Sequence, residues 1–450
     1  MIAIVGGGIA GLSAAYELAV RGVPFRLFEA SSRLGGLIRT EHAEGFVVEG
    51  GPDSILVQKP AALELCRALG LERHLIASSP PRTAFVLKRG RLHPLPSPSV
   101  LGIPTTWRGL ARYDLLPPLA RVRLGLERWI PQRVEAGDEG VASFFRRRFG
   151  AATVDLIAGP LLGGIHAGDI ESLSMSSLFP RFVDAEQRHG SVLRAFRGAG
   201  STPPDGLFRS LAGGMGDLVL AIEHRLPAES IHRDAAVDAI AREGQHWRVR
   251  AAGATWTARA IVLACPAPAA ASLLEPLDEP AAQRCREVPY VSTVSIALAW
   301  PRDAVRHPLR GSGFVVARRE NALRMTACTW VSSKWSGRAP AGIVLLRVFA
   351  GGSHDPGAVD LADGALIDMA AGELSPILGI TGRPVFARVY RWRAAGAQHN
   401  VGQAARVEEI EGRLARYPGL VVAGSGFRSV GIPDCVADGR AAAAACVSMG

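Results

Sequence analysis

The chain opens on a continuously apolar run, Ile2-Ala3-Ile4-Val5, that stops at three glycines. A run without alternation predicts a strand buried on both faces, as strands of parallel sheets are. Residues 12–20 then set Ala14, Ala15 and Leu18 at helical spacing, and residues 23–28 read as a second strand ending at Glu29. Further strands are predicted at 235–240, 247–249 and 260–264, the last running into the turn Cys265-Pro266-Ala267-Pro268. Another apolar run, 420–424, precedes an alanine-rich helix over 438–447. Residues 108–130 mix leucines and Trp129 with Arg108, Arg112, Arg121, Arg123 and Arg128, interrupted by Pro117-Pro118. That pattern predicts a basic amphipathic segment, able to lie in a membrane interface or to bury one face in the protein.

Strand, glycine turn, helix and strand at the very start make a βαβ unit of the dinucleotide-binding kind. Gly6 permits the tight turn, Gly8 lets the backbone approach a pyrophosphate on the helix N-terminus, and Gly11 lets helix and strand pack closely. Glu29, eighteen residues after Gly11, is placed to accept hydrogen bonds from ribose hydroxyls, and its charge argues against a 2′-phosphate. The run Ala30-Ser31-Ser32-Arg33-Leu34-Gly35-Gly36 brings an arginine and two bare backbone N–H groups toward the diphosphate from the other side. Gly50-Gly51-Pro52-Asp53-Ser54 repeats the glycine turn. Three such clusters in the first 54 residues predict FAD.

The expected fold is α/β with α+β insertions. A Rossmann-like FAD-binding domain is assembled discontinuously from residues 1–75, 205–268 and 385–450. Residues 76–99 and 269–384 form a substrate-binding domain with a mixed or antiparallel sheet, and residues 100–204 a helical, membrane-associating insertion. At 450 residues, 48% apolar and 20% charged, the chain has material for two or three folded domains.

The net charge of +10 raises the question of nucleic acid. Only Lys59, Lys88 and Lys334 of the 51 basic residues are lysines, the arginines are scattered, and no long like-charged run occurs, so nucleic acid is not the expected partner. An anionic small molecule or membrane face suits the charge better. Six widely spaced cysteines without CxxC, and no histidine pair at metal spacing, predict reduced thiols, a cytoplasmic protein and no metal site. Residues 260–274 are uncharged but hold two prolines and are too short to span a bilayer.

The E-x-x-x-R-x-G-G run at Glu29, Arg33, Gly35 and Gly36 resembles the flavin signature of the amine-oxidase-like superfamily. Four further stretches resemble the oxygen-dependent porphyrinogen oxidases of haem biosynthesis, the protoporphyrinogen and coproporphyrinogen III oxidases. They are Leu37-Ile38-Arg39-Thr40 with Phe46, Glu49 and the Gly-Pro-Asp-Ser turn; Leu92-His93-Pro94-Leu95-Pro96 with Leu101 to Thr105; Gly163-Gly164-Ile165-His166-Ala167-Gly168-Asp169; and Leu211 to Met215 with Val430-Gly431-Ile432-Pro433-Asp434-Cys435. The similarity runs over essentially the whole chain in the same order.

The resemblance implies FAD contacts at Gly6, Gly7, Gly8, Ile9, Ala10, Gly11, Glu29, Ala30, Arg33, Gly36, Leu37, Gly51, Pro52, Asp53, Ser54, Val237, Trp392, Val430, Gly431 and Ile432. It implies removal of six electrons from a porphyrinogen in three rounds, with hydride passing from a bridge carbon to flavin N5 and O2 reduced to H2O2. Protoporphyrinogen IX is the first substrate expected and coproporphyrinogen III the alternative. Such a reaction needs fixed geometry more than a strong base, and the sequence holds no Ser-His-Asp set or paired carboxylates.

Gly164, Gly311, Gly313 and Phe314 are the candidate substrate walls. The family places a propionate-binding arginine shortly before the Leu-His-Pro run; counting back from His93 puts Ala84 there and Arg82 two residues earlier. His166 and His399 are the candidate proton carriers, His166 standing where the family often has an aromatic residue. A homodimer, peripheral contact with the inner face of the cell membrane and hand-off to the next haem-pathway enzyme complete the expectations. Rival readings are a flavin amine oxidase or desaturase relative and a flavin-binding protein without turnover.

Overall fold

The computed structural model describes residues 1–133, 137–197, 203, 205–317, 319, 322–428 and 430–448. Ile2–Val5 pairs in parallel with Phe25–Phe28 on one side and Ala260–Leu263 on the other. Ile231–His232 and Leu420–Val422 flank these to complete a five-stranded parallel sheet. Every residue of Ile2–Val5 and Ala260–Leu263 is buried, which is why neither run carries a polar alternation.

One face of this sheet is covered by helices Ile9–Val20, Gly216–Glu223 and Ile432–Ser448, through Leu12, Leu18, Leu218, Ile222 and Val436. The other carries three antiparallel strands, Val237–Glu243, His246–Ala251 and Ala254–Ala258, with helices Ala267–Leu274, Glu279–Arg286 and Gln403–Leu414. Of the three strands predicted between 235 and 264, only the last therefore joins the parallel sheet. His246–Ala251 alternates exposed and buried residues, as a strand with one wet face must. The outer helices begin at Ile9 and Ile432 rather than at 12 and 438, because a first helical turn tolerates Gly11 and Pro433.

A second, seven-stranded sheet runs in the order Phe386–Ala397, Tyr290–Pro301, Ile343–Gly351, Ala327–Trp330, Gly313–Val316, Ala84–Lys88, Arg91–Pro94. Only the pairing of Gly313–Val316 with Ala84–Lys88 is parallel. Helix Asp363–Leu378 buries Leu366, Ala370 and Leu374 against one face. Two segments cross the expected domain limits. Phe386–Ala397, assigned by sequence to the nucleotide unit, is an edge strand of this second sheet. The helices at 267–286, most of which the sequence reading gave to the substrate unit, pack on the parallel sheet.

The helical insertion is centred on Phe144, Phe145, Phe149, Phe182 and Phe196; its residues 134–136, 198–202 and 204 lie outside the described ones. Arg148 and Glu127 form a fully buried ion pair within it. Glu127 also accepts from Ser191 Oγ at 2.6 Å and from the Val192 and Leu193 N–H groups, tying helix Val192–Phe196 to the unit. A ten-residue π-helix, Val154–Gly163, leads into Gly164–His166.

The basic amphipathic stretch breaks into helices Trp107–Ala111 and Pro118–Gly125 and a 3-10 turn, Leu126–Trp129. Leu110, Leu115, Leu116 and Leu124 enter the core, whereas Leu119, Val122, Leu126 and Trp129 face solvent, Leu119 at 84% exposure. Among the described residues no helix is long and apolar enough to cross a membrane, no cluster of metal-ligating side chains occurs, and all six cysteines are free.

Candidate flavin and substrate site

The glycines of the first turn do different work. Gly6 adopts φ 108°, and a Cβ there would lie 2.7 Å from the Ala264 carbonyl oxygen; a Cβ on Gly11 would lie 1.9 Å from the Gly6 oxygen. Both are required by packing. At Gly8 a Cβ would meet no protein atom within 4 Å. Gly8 is also the N-cap of helix Ile9–Val20 and supplies no side-chain cap, so the first N–H groups, at Ile9 and Ala10, lack intrahelical acceptors at the positive end of the helix dipole. Open backbone donors beside an uncrowded glycine form a cradle of diphosphate chemistry.

Glu29 closes one side. Its Oε2 accepts from Gly7 N at 2.7 Å, and its Oε1 accepts from Ser31 N and Ser31 Oγ at 2.8 and 2.7 Å. A carboxylate has roughly four acceptor sites, so this half-exposed one retains capacity for a ribose hydroxyl. Ala30 beside it is exposed. Arg33, expected on the diphosphate, donates instead to the carbonyls of Leu34, Gly36 and Ile38 at 3.2, 2.5 and 3.1 Å. It folds the 34–38 loop, since three carbonyls converge on one guanidinium fork.

From that loop a continuous path runs toward the second sheet. A Cβ on Gly36 would lie 3.2 Å from Gly8 Cα, and one on Gly51 would lie 1.8 Å from the Leu37 carbonyl oxygen. Trp392 Nε1 donates to the Gly50 oxygen at 2.8 Å, and its ring comes within 3.6 Å of the Gly51 Cβ position. Pro52 and Ser54 are half-buried in the same turn. Asp53, expected as a cofactor contact, is otherwise engaged: Oδ2 accepts from Lys334 Nζ at 2.9 Å and Trp335 Nε1 at 3.2 Å, and Oδ1 from Ser54 Oγ at 2.8 Å. Burial alone would raise this carboxyl, but the Lys334 and Arg347 charges outweigh it and hold it well below the usual carboxylate range.

Val237 begins the first antiparallel strand over the nucleotide sheet, half-buried. Val430 and Gly431 lead into helix Ile432–Ser448, whose Ile432 is buried; Asp434 in its first turn pairs with Lys59 at 2.6 Å.

On the substrate side, Gly164 lines a cavity of about 320 Å³ between the π-helix and the second sheet, together with Gly159, Gly163, Val316, Thr326 and Gly351. The other wall candidates are elsewhere. A Cβ on Gly311 would lie 2.4 Å from the Thr83 oxygen and one on Gly313 2.2 Å from the Cys328 oxygen, so both glycines serve close strand packing. Phe314 is buried in the core under helix Asp363–Leu378, because strand alternation turns it to the covered face. Arg82 Nε donates to Ser78 O and Ser78 Oγ at 2.9 and 3.2 Å, and its aliphatic part packs at Gly206.

The two histidines are electrostatic neighbours. Burial, with the charges of His399 and Lys59, lowers His166 to about 4, and its ring meets Phe179 edge-on at 5.6 Å. Burial also lowers His399, against the bond between its Nε2 and the Ser425 oxygen at 2.8 Å. Neither is a resting cation at neutral pH.

Sequence reasoning missed two positioning groups. Gln398 Nε2 donates to the His166 oxygen at 2.9 Å, fastening the Gly164–His166 turn to the end of strand Phe386–Ala397. Lys334 anchors Asp53; its signal was its rarity, as one of three lysines in an arginine-rich chain.

The chain matches the family described as flavin containing amine oxidoreductase over residues 9–447. It is 35% identical to a coproporphyrinogen III oxidase of Bacillus subtilis, covering 98% of this chain and 96% of that one. It is 27% identical to the chloroplastic protoporphyrinogen oxidase 1 of Spinacia oleracea, over 96% and 81%. A provisionally named protoporphyrinogen oxidase of Exiguobacterium sp. 255-15 superposes with a TM-score of 0.88 at 32% identity, over 98% and 97% of the two chains. The open cradle at Gly8, the spare acceptor capacity of Glu29 and these matches agree: this chain is an FAD-dependent oxidoreductase that belongs to the flavin-containing amine oxidoreductases, in the family of the coproporphyrinogen III and protoporphyrinogen oxidases.

Proposed function

We propose that this enzyme oxidises coproporphyrinogen III to coproporphyrin III in haem biosynthesis, with O2 as acceptor. The observation that carries the reading is the 35% identity with the Bacillus subtilis oxidase across nearly the whole of both chains. Protoporphyrinogen IX, the substrate placed first on sequence alone, becomes the second reading because the two relatives named for it, at 27% and 32% identity, are less similar than the Bacillus subtilis oxidase. In this reading the cradle at Gly6 to Gly11, Glu29, Gly36, Leu37, Gly51, Pro52, Val237, Trp392 and Val430 to Ile432 hold FAD, while Arg33 and Asp53 shape its loops. Bound there, the flavin supplies the hydride acceptor. The protein's own contribution is positioning: the glycine-lined cavity at Gly164 receives and orients the macrocycle. The neutral His166 and His399 fit a reaction in which no side chain needs to act as a strong base.

The test is anaerobic bleaching of the holoenzyme's long-wavelength flavin band with coproporphyrinogen and protoporphyrinogen in parallel, followed by aerobic porphyrin fluorescence. Faster bleaching by coproporphyrinogen is expected. Faster bleaching by protoporphyrinogen moves the assignment to the second reading, and bleaching by neither removes both.

A specific observation also supports peripheral contact with an anionic membrane face. Leu119, Val122 and Leu126 form an exposed apolar stripe, and Arg128 stacks on the exposed Trp129 at 4.2 Å and approaches Trp107 at 5.9 Å. Among the described residues, Arg108, Arg112, Arg128, Arg194 and Arg197 around this patch have no carboxylate partner. Exposed apolar and aromatic groups ringed by unpaired cations match a lipid interface.

A further inference from the structure

Helix Trp107–Ala111, the turn Leu126–Trp129 and helix Val192–Phe196 border a cavity of about 400 Å³. Trp107, Leu110 and Leu193 give it apolar walls, and Arg128, Arg194 and Arg197 bring three cations to it. Among the described residues, no aspartate or glutamate lines it. The guanidinium groups of Arg128 and Arg197 meet no hydrogen-bond acceptor among the described residues, and that of Arg194 has only the His189 carbonyl oxygen, at a long 3.5 Å.

The frame that carries these cations is fixed from behind. Glu127, beside Arg128 in the chain, is buried and accepts from Ser191 Oγ at 2.6 Å and from the Val192 and Leu193 N–H groups at 2.9 and 3.1 Å. One carboxylate thus ties the turn that carries Arg128 to the helix that carries Arg194 and ends at Arg197. Trp107 and Leu110 pack on Gly125, where a Cβ would lie 3.3 Å from each side chain. The guanidinium ends themselves are exposed and free to turn to a ligand. A frame already in place lowers the ordering cost of binding. Three like charges without a counter-charge repel one another, and an anion seated among them removes that repulsion. Guanidinium forks match the oxygens of a phosphate with paired N–H donors.

Arg128 belongs both to the cavity and to the exposed apolar patch, where it stacks on Trp129 at 4.2 Å, two residues on from the exposed Leu126. An occupant that fits both offers an anion to the cavity and an apolar body to the patch. We propose that this cavity binds the phosphate group of one anionic phospholipid, held between Arg128, Arg194 and Arg197. The choice of occupant rests on the membrane reading above and adds to it a saturable site with headgroup specificity.

The test is calorimetric titration of the holoenzyme with dihexanoyl-phosphatidylglycerol below its micelle-forming concentration, with dihexanoyl-phosphatidylcholine and with glycerol phosphate. Sedimentation with phosphatidylglycerol vesicles is measured alongside. Saturable one-to-one binding of the short-chain phosphatidylglycerol is expected, at least about tenfold tighter than either comparison ligand. Arg194→Gln combined with Arg197→Gln is expected to weaken it at least about tenfold. Both side chains are exposed, so the double variant should keep its flavin content and melting temperature. Equal affinity for glycerol phosphate would assign the cavity to free phosphate esters and overturn the lipid as occupant. Equal affinity for phosphatidylcholine, or binding unmoved in the double variant, overturns the role of the cations. Sedimentation with vesicles but no saturable binding of the short-chain lipid overturns the proposal and leaves the membrane reading standing. Absence of sedimentation removes the membrane reading, and the lipid as occupant with it.

Discussion

Gly439 of the C-terminal helix packs directly on Ala10 at the start of the first helix: a Cβ on Gly439 would lie 2.0 Å from the Ala10 carbonyl oxygen. Two segments more than four hundred residues apart thus meet at the turn that carries the open cradle, and Gly424 closes the same junction, with its Cβ position 3.4 Å from Ala10 Cβ. The backbone contact leaves no flexible side chain to yield. Gly439→Val is therefore expected to destabilise the fold, by about 1–3 kcal/mol or more as an overpacked core does, and to release flavin. Thermal unfolding and flavin release on the same sample check this, and wild-type values for both would count against the junction.

Gly8 and Gly11 separate packing from ligand binding. A Cβ added at Gly8 meets no protein atom within 4 Å, so the Gly8→Val apoprotein should keep its melting temperature while losing flavin. Gly11→Val, with its Cβ 1.9 Å from the Gly6 oxygen, should lose both. Equal behaviour of the two variants would contradict the division of roles.

The buried pair in the helical unit should be asymmetric. Arg148→Met leaves the buried Glu127 carboxyl without its cation, and breaking a buried pair this way costs about 3–5 kcal/mol. Glu127→Gln should cost less, because Arg148 keeps the carbonyls of Ile130 and Gly190 at 2.9 and 3.0 Å. Urea unfolding of the two variants measures the order.

His166 gives a pH dependence with a definite sign. It titrates at about 4 in the fold and near its ordinary 6.5 when unfolded. The unfolded chain therefore binds the extra proton between those values, so its stability contribution is present above about pH 6.5 and lost as the pH falls toward 4. The loss is at most about 1.4 kcal/mol per pH unit. His166→Phe should flatten the fall in urea midpoint between pH 7 and pH 5, and an unchanged slope would remove His166 as its source.

The patch around Trp107 and Trp129 should bind vesicles. Full-length holoenzyme is expected to sediment with vesicles containing anionic phosphatidylglycerol, less so in high salt, and not with neutral ones. Trp107→Ser with Trp129→Ser should weaken this several-fold while leaving flavin binding intact. Failure of the wild-type protein to sediment would rule the contact out.

What the sequence determined by itself was local. The strand at Ile2–Val5, the glycine turn, the helix and Glu29 lie within one βαβ unit, where residue spacing alone sets which group faces which. Long-range neighbours were not legible in that way. Asp53 could be placed in a glycine turn, yet that its carboxylate would turn to Lys334, 281 residues on, depended on how the second sheet docks. Gly311, Gly313 and Phe314 could be read as a glycine-flanked wall; strand pairing made the glycines packing contacts and turned Phe314 into the core. Residues 108–130 showed a basic amphipathic pattern, but which leucines faced inward was settled by the phenylalanine core they met. Local spacing fixes a backbone cradle, because backbone geometry repeats. The facing of side chains across hundreds of residues is chosen by packing, and only the tertiary structure contains it.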